Sequence, residues 1–390
     1  MRVLLFTGKG GVGKTSVAAA TALLAADSGA RTLVLSTDVA HSLADAFDCP
    51  VGSTPTRVAD NLYAQQLDAV ERFEDSWGEV RSYLVQVMGW AGVDLVEAEE
   101  LAVLPGLEEV FALIDLADHA ASGAWEAIVV DCAPTAETIR LLSLPEVLGW
   151  YMDRVFPASR KLAKLARPLL GALGGVPPVA GDAVFGALED VMARLVEVRE
   201  LLADRGRSSL RLVVNPEKMV IAEARRTATY LALFGYRVDA VVANRLLPDA
   251  VQDPWFKAWR EAHAEHLAAI EAGFAPIPVL RADLASDELV GIDRLRAFAA
   301  ELYGDDDPLS VLHEGDGLEV VRRDATSVLR LPLPFCDHDE LEVGRRDADL
   351  LVRVGPYRRA VHLPDSLQRR PVGRAALVDG YLEVEFGEPG

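Results

Sequence analysis

Residues 8–15 read Gly8-Lys9-Gly10-Gly11-Val12-Gly13-Lys14-Thr15 and follow directly on the apolar run Val3-Leu4-Leu5-Phe6. The spacing is G-x-x-x-x-G-K-T. A short strand, a glycine-rich turn and a helix opening at Ser16-Val17-Ala18 form the context in which this spacing cradles phosphate. Backbone N–H groups of Gly8, Gly10, Gly11, Val12 and Gly13 can turn toward phosphate oxygens, and Ser16 continues the first helical turn. In that context Lys14 is expected to neutralise the β- and γ-phosphates, and the Thr15 hydroxyl can ligate magnesium. Lys9 is a second lysine inside the loop.

Outward from this loop, short apolar runs recur and each ends in polar residues. They are Thr32-Leu33-Val34-Leu35, Ala127-Ile128-Val129-Val130 ending in Asp131, Leu210-Arg211-Leu212-Val213-Val214 ending in Asn215, and 238–243 ending in Asn244. Runs of this kind alternating with helical stretches predict an α/β fold, a P-loop type with a mostly parallel, doubly wound sheet. Ligands of such sheets bind at the carboxyl ends of the strands. Two stretches, 73–122 and 145–205, have helical pattern and either cap the sheet or form an inserted helical subdomain. In the second, Leu188, Val191, Leu195, Val198 and Leu202 recur at helical spacing, and 160–173 carries a leucine stripe that Pro168 is expected to kink. The α/β domain is expected over 1–303 and a Gly/Asp-rich linker over 304–324. Beyond it Asp349-Leu350-Leu351-Val352-Arg353-Val354 and Tyr381-Leu382-Glu383-Val384-Glu385-Phe386 alternate with period two, and Asp379-Gly380 marks a hairpin. Residues 325–390 therefore read as a small all-β sandwich.

At 51% hydrophobic residues the 390-residue chain can bury a large core, and its formal charge of −21 argues against a nucleic-acid partner. No apolar run of about 18 residues and no signal-peptide pattern is present, so a soluble, cytoplasmic protein is expected. The three cysteines, Cys49, Cys132 and Cys336, are far apart and form no C-x-x-C pair.

Phosphoryl transfer needs a cradle, a metal and a group that orients water. Asp38, just past the second strand, is placed to orient water or to sit near Mg²⁺. Asp131, ending an apolar strand, is placed to hold Mg²⁺ directly or through water, although an aspartate in either position also caps helices. Lys9 is either a solvated charge or a group that reaches a partner subunit's nucleotide as an arginine finger does; spacing does not separate the two.

The loop with its extra lysine resembles the deviant phosphate loop of the signal-recognition and MinD-like class. Within that class, Ser36-Thr37-Asp38-Val39-Ala40-His41-Ser42-Leu43-Ala44-Asp45 is similar to the first switch of the arsenite-pump (ArsA) and tail-anchored-protein-targeting ATPase family. Asp131-Cys132-Ala133-Pro134-Thr135-Ala136-Glu137-Thr138 resembles its second switch. The resemblance covers about 1–303. It implies that Lys9, Lys14 and Asp38 are catalytic, with Lys9 acting across a homodimer and Asp38 orienting water. It also implies that Thr15 and Asp131 serve Mg²⁺, that ATP is the substrate, that Asn244 reads adenine and that Pro278 packs on the base. The C-terminal piece resembles the α-crystallin (HSP20-like) domain attached to some members. Departures are Val39 for the family's usual Pro and Ala136-Glu137 for its usual Gly-His. The zinc-clasping C-x-x-C of the eukaryotic members is missing, so no zinc clasp is expected.

These readings lead to a homodimeric Mg-dependent ATPase that opens and closes its helical subdomain around a hydrophobic client such as a transmembrane helix. The alternatives are the ATPase subunit of an arsenite or anion efflux pump with a membrane partner, and a MinD-like regulatory nucleotide switch.

Overall fold

The computed structural model describes residues 1–37, 42–66, 107–133, 182–323 and 326–388, with Ser82, Val85, Thr135, Ile139 and Ser143. Asp38, Val39, Ala136, Glu137, the stretch 160–173 with Pro168, and most of both helical insertions lie outside the described residues.

The large sheet has the order β3-β4-β2-β5-β1-β6-β7-β8. Its strands are β1 (Arg2–Thr7), β2 (Thr32–Ser36), β3 (Thr56–Ala59), β4 (Leu62–Gln66), β5 (Ala127–Asp131), β6 (Ser208–Val214), β7 (Val238–Leu246) and β8 (Val279–Asp283). All pairings are parallel except that of the edge strand β3 with β4. The apolar runs picked out in the sequence are central strands, and Val3 to Phe6, Leu33 to Leu35 and Ile128 to Val130 are all 0% exposed. Such strands carry continuous Val/Leu/Ile runs because both faces are covered. The chain leaves β1 toward β2 on one side and later fills the other side with β6, β7 and β8, so the switch in winding direction falls beside β1. The phosphate loop therefore opens at the position where doubly wound sheets bind ligands.

Among the described residues, the helices that flank this sheet are α1 (Lys14–Asp27), α2 (Ser42–Phe47), α3 (Leu107–Ala121), α4 (Asp182–Ala203), α5 (Lys218–Phe234) and α6 (Lys257–Phe274). The last helix of the domain is α7 (Ile292–Tyr303). Helices α3 and α4 are the described ends of the two helical segments. They pack on each other, and their stripes, Val110, Phe111, Leu113 and Leu116 on one and Val191, Leu195, Val198 and Leu202 on the other, join the sheet's core. In these portions the helices cap the sheet.

The C-terminal domain has a four-stranded sheet, β14-β15-β10-β9, and a three-stranded sheet, β11-β12-β13. The strands are β9 (Glu319–Arg323), β10 (Thr326–Pro332), β11 (Leu341–Arg346), β12 (Asp349–Val354), β13 (Tyr357–His362), β14 (Val372–Val378) and β15 (Tyr381–Phe386). The two period-two stretches are β12 and β15, and alternate residues Leu350, Val352, Val354, Leu382, Val384 and Phe386 are 0% exposed. Asp379 (φ 49°) and Gly380 (φ 79°) make the hairpin between β14 and β15, both with the positive φ that matches strand twist.

The expected linker differs in two ways. Its last residues form β9, paired with β10. Its first part is fastened to the α/β domain: Arg2 Nε donates to Leu309 O (2.9 Å), Arg211 Nη2 to Ser310 O (3.2 Å) and Arg205 Nη2 to Glu314 O (2.8 Å), and Leu312 N–H donates to Asp239 (3.4 Å). A polar, glycine-containing segment supplies the carbonyls that the buried Arg211 and the half-buried Arg2 and Arg205 need. The β domain sits on α5, where Tyr230 stacks near Tyr357 (4.6 Å between centroids) and Arg359 Nη1 donates to Leu233 O (2.6 Å).

Candidate nucleotide site

The phosphate loop turns under tight steric limits. A Cβ on Gly8 would lie 2.2 Å from Val213 O, so β6 approaches too closely for any other residue. Gly13 has φ 92°, and a Cβ there would meet Asn244 Nδ2 at 2.4 Å. Gly13 is also the N-cap of α1. It offers no side-chain cap, and the first turn has no acidic residue. The leading N–H groups of a 14-residue helix are thus left facing the loop, with the positive end of the helix dipole behind them. An anion such as phosphate matches that arrangement.

Lys14 is 7% exposed, and its Nζ donates to Lys9 O (3.4 Å) across the loop. Val12 is buried, Gly10 and Gly11 are exposed, and Lys9, Thr15 and Ser16 are half-buried. The Thr15 hydroxyl donates to Asp131 Oδ2 (2.7 Å) and lies 3.2 Å from the Ser42 hydroxyl. Two hydroxyls and a carboxylate form an all-oxygen donor set, the chemistry Mg²⁺ takes. Asp131 is 1% exposed at the end of β5.

The ends of β2 and β5 are tied together by Thr37. Its N–H donates to Asp131 O (2.9 Å), and its hydroxyl accepts from Ala133 N–H (2.9 Å). The residue before Asp38 is thereby fixed to the end of β5, while Asp38 itself lies outside the described residues.

Asn244, at the far end of β7, comes directly under the loop. It is 3% exposed, and its Nδ2 donates to Val12 O (2.8 Å). Arg245 beside it adopts φ 58° and donates from Nη1 to Gly11 O (2.8 Å). Pro278 is not brought to this edge. It precedes β8, and its carbonyl accepts from Val241 N–H (3.0 Å), three residues before Asn244 on β7. The residue that reaches the loop side is Leu284, whose N–H donates to Leu246 O (2.7 Å).

Sequence reading missed Arg245, Ser42 and Thr37 as site residues. Each is adjacent to, or within, a quoted strand end. The bonds of Arg245 and Ser42 to the loop, and of Thr37 to the end of β5, depend on strand order, which spacing does not supply.

Cys132 follows Asp131 but faces inward. It is 2% exposed, and burial, reinforced by the Asp131 charge, pushes its thiol far above the ordinary range. Burial also raises Cys49 and takes Cys336 up to about 11. Among the described residues no group of three or more His, Cys, Asp or Glu side chains could hold a metal, and no helix is long and apolar enough to cross a membrane.

Comparison with known proteins agrees with this geometry. Residues 1–304 match the anion-transporting ATPase (ArsA) family model, and 324–386 match the HSP20-like domain found in ArsA. A Chlorobaculum tepidum protein named as an arsenical pump-driving ATPase is 38% identical over 99% of this chain and 96% of its own length. An Aquifex aeolicus protein of the same description is 35% identical over 96% and 97%. A Paramecium tetraurelia ATPase ASNA1 homologue is 27% identical over 75% of this chain and 89% of its own. With a family match running through the whole α/β domain and relatives of 35–38% identity along almost the whole chain, the chain belongs to the anion-transporting ATPase (ArsA) family and is an ATPase.

Proposed function

We propose that this ATPase hydrolyses Mg-ATP as a homodimer and uses the cycle to open and close the helical segments over a hydrophobic client. The observation that carries the ATPase half is the joint between Thr15 and Asp131 beneath a loop braced by Asn244 and Arg245. Lys14 and the N-terminus of α1 bind the phosphates. Mg²⁺ held at Thr15 and Asp131 would neutralise charge on the β- and γ-oxygens. Asp38 orients the attacking water. Lys9, whose side chain pairs with no carboxylate among the described residues, completes the partner's site. Asn244 commits its Nδ2 to the loop, which leaves its carbonyl oxygen as the group to meet an adenine amine. Magnesium-dependent ATP turnover by the full chain, together with light scattering with and without ATP, tests this reading. Turnover that survives Lys14→Ala, or a chain that stays monomeric with ATP, contradicts it.

The relatives' names favour a second reading, an ATPase that drives an arsenical pump. A soft metalloid needs thiolates brought together. Cys49, Cys132 and Cys336 have raised pKa values and form no described cluster, which supports the client reading over the pump reading.

A further inference from the structure

A cavity of about 560 Å³ lies between the α/β domain and the β domain, remote from the phosphate loop. The volume is in the range of sites for small organic molecules. Phe274 and Phe335 form part of its apolar wall, one from each domain, with ring centroids 5.1 Å apart. Against the chain's net charge of −21, guanidinium groups dominate the polar lining, with Arg237 and Arg205 on the α/β side. Of the carboxylates there, Asp316 is bonded to the Tyr381 hydroxyl and Asp379 sits in the hairpin turn.

Arg237 is the informative group. It is 6% exposed; its Nη2 donates to Ser208 O (3.3 Å) and Ser209 Oγ (3.2 Å), and its Nε is buried with no hydrogen-bond partner. The nearest buried carboxylate, Asp239, is taken by Arg211 (3.2 Å) and Arg2 (3.5 Å). Three guanidinium groups thus gather around one carboxylate, and Arg237 has no ion pair among the described residues. Burial, helped by the Arg205 charge, pulls the Arg237 pKa below its ordinary value. A buried cation whose closest carboxylate partner is shared with two other guanidinium groups, and which otherwise feels only the more distant charges of Glu314 and Asp204, is costly, and an anion in the cavity would reduce that cost.

We propose that this cavity binds an organic anion of the amphiphilic carboxylate class, with its head group on Arg237 and Arg205 and its apolar body against Phe274 and Phe335. A carboxylate in the cavity accepts charge-assisted bonds from the guanidinium N–H groups of Arg237 and Arg205 that face it. The aromatic pair accounts for an apolar body, which inorganic phosphate or acetate lacks. Because both domains supply walls, the ligand would also hold them together.

Calorimetric titration of the full chain tests this with dodecanoate and naphthalene-2-carboxylate, their neutral alcohols, and acetate. The expected result is one acid bound per chain, at least about tenfold tighter than its alcohol, the scale of one charge-assisted hydrogen bond. Arg237→Leu should abolish the preference for acid over alcohol while ATP turnover stays native. Phe335→Ala should weaken acid and alcohol alike. The proposal is overturned if neither acid binds, if acid and alcohol bind equally, if acetate binds as well as the larger acids, or if Arg237→Leu keeps the preference. Should Arg237→Leu fail to fold, the acid–alcohol comparison on the unaltered protein and the Phe335→Ala titration decide the matter.

Discussion

The Thr15 hydroxyl donates to the Asp131 carboxylate across 2.7 Å, joining the first turn of α1 to the end of the neighbouring strand β5. The ends of β2 and β5 meet at this joint, because Thr37 N–H donates to Asp131 O and the Thr37 hydroxyl accepts from Ala133 N–H. A change in what Asp131 binds is therefore felt directly by the residue before Asp38.

Thr15→Val and Asp131→Asn each remove an oxygen ligand or its charge. Each is expected to raise the Mg²⁺ concentration for half-maximal ATP turnover by about tenfold to a hundredfold. A magnesium titration at saturating ATP checks this, and an unchanged midpoint in both variants would remove the assignment.

Asn244 has two tasks in this account, and Asn244→Ala separates them. Loss of the bond to Val12 O weakens every nucleotide by about tenfold, whatever its base. Loss of adenine reading lowers ATP affinity further and narrows the preference over GTP. Equal weakening of both nucleotides, measured by competition binding, would leave only the bracing role.

Asp239 is 0% exposed between Arg211 and Arg2 and accepts from the Leu312 N–H of the connecting segment. Asp239→Asn leaves buried guanidinium charge without its partner and is expected to cost about 3–5 kcal/mol. Guanidinium chloride unfolding followed by circular dichroism measures it. A loss below about 1 kcal/mol, the scale of a surface ion pair, would show that the cluster is far better solvated than its geometry implies.

Much of this was legible in the sequence. The Val3–Phe6 run and the loop after it located the site, the Val/Ile/Leu strands announced a sheet covered on both faces, and the period-two stretches gave β12 and β15. The rest depended on neighbours. Asn244 lies 231 positions beyond Gly13, yet the two touch because β6 and β7 continue the sheet from β1. Pro278 went unconfirmed for the same reason: its position before β8 puts it on the incoming side of that strand. The connecting segment read as a linker from its Gly and Asp content, because the arginines that grip it come from β1, β6 and the turn before β6.

The buried thiols bear on the pump reading. Cys132 is 2% exposed with a strongly raised pKa, so little thiolate is present at neutral pH. Native protein at pH 7.5 is expected to leave Cys132 unlabelled by iodoacetamide, as read by peptide mass analysis, and arsenite is expected to leave ATP turnover unchanged. Rapid labelling of Cys132, or stimulation by arsenite, would favour the pump.

The central claim, a shared active site, is tested most directly by mixing two inactive variants. On the proposed mechanism, a Lys9→Ala subunit fails to reach its partner's nucleotide, and an Asp38→Asn subunit fails to orient water in its own site. In a mixed dimer, the Lys9→Ala subunit keeps its own Asp38 and receives Lys9 from its partner. Random mixing in equal amounts should restore about a quarter of the native rate per chain, since half of the dimers are mixed and each has one complete site. ATP turnover that stays at the level of the separate variants at every mixing ratio, with exchange of subunits shown by light scattering and mass analysis, would contradict the account.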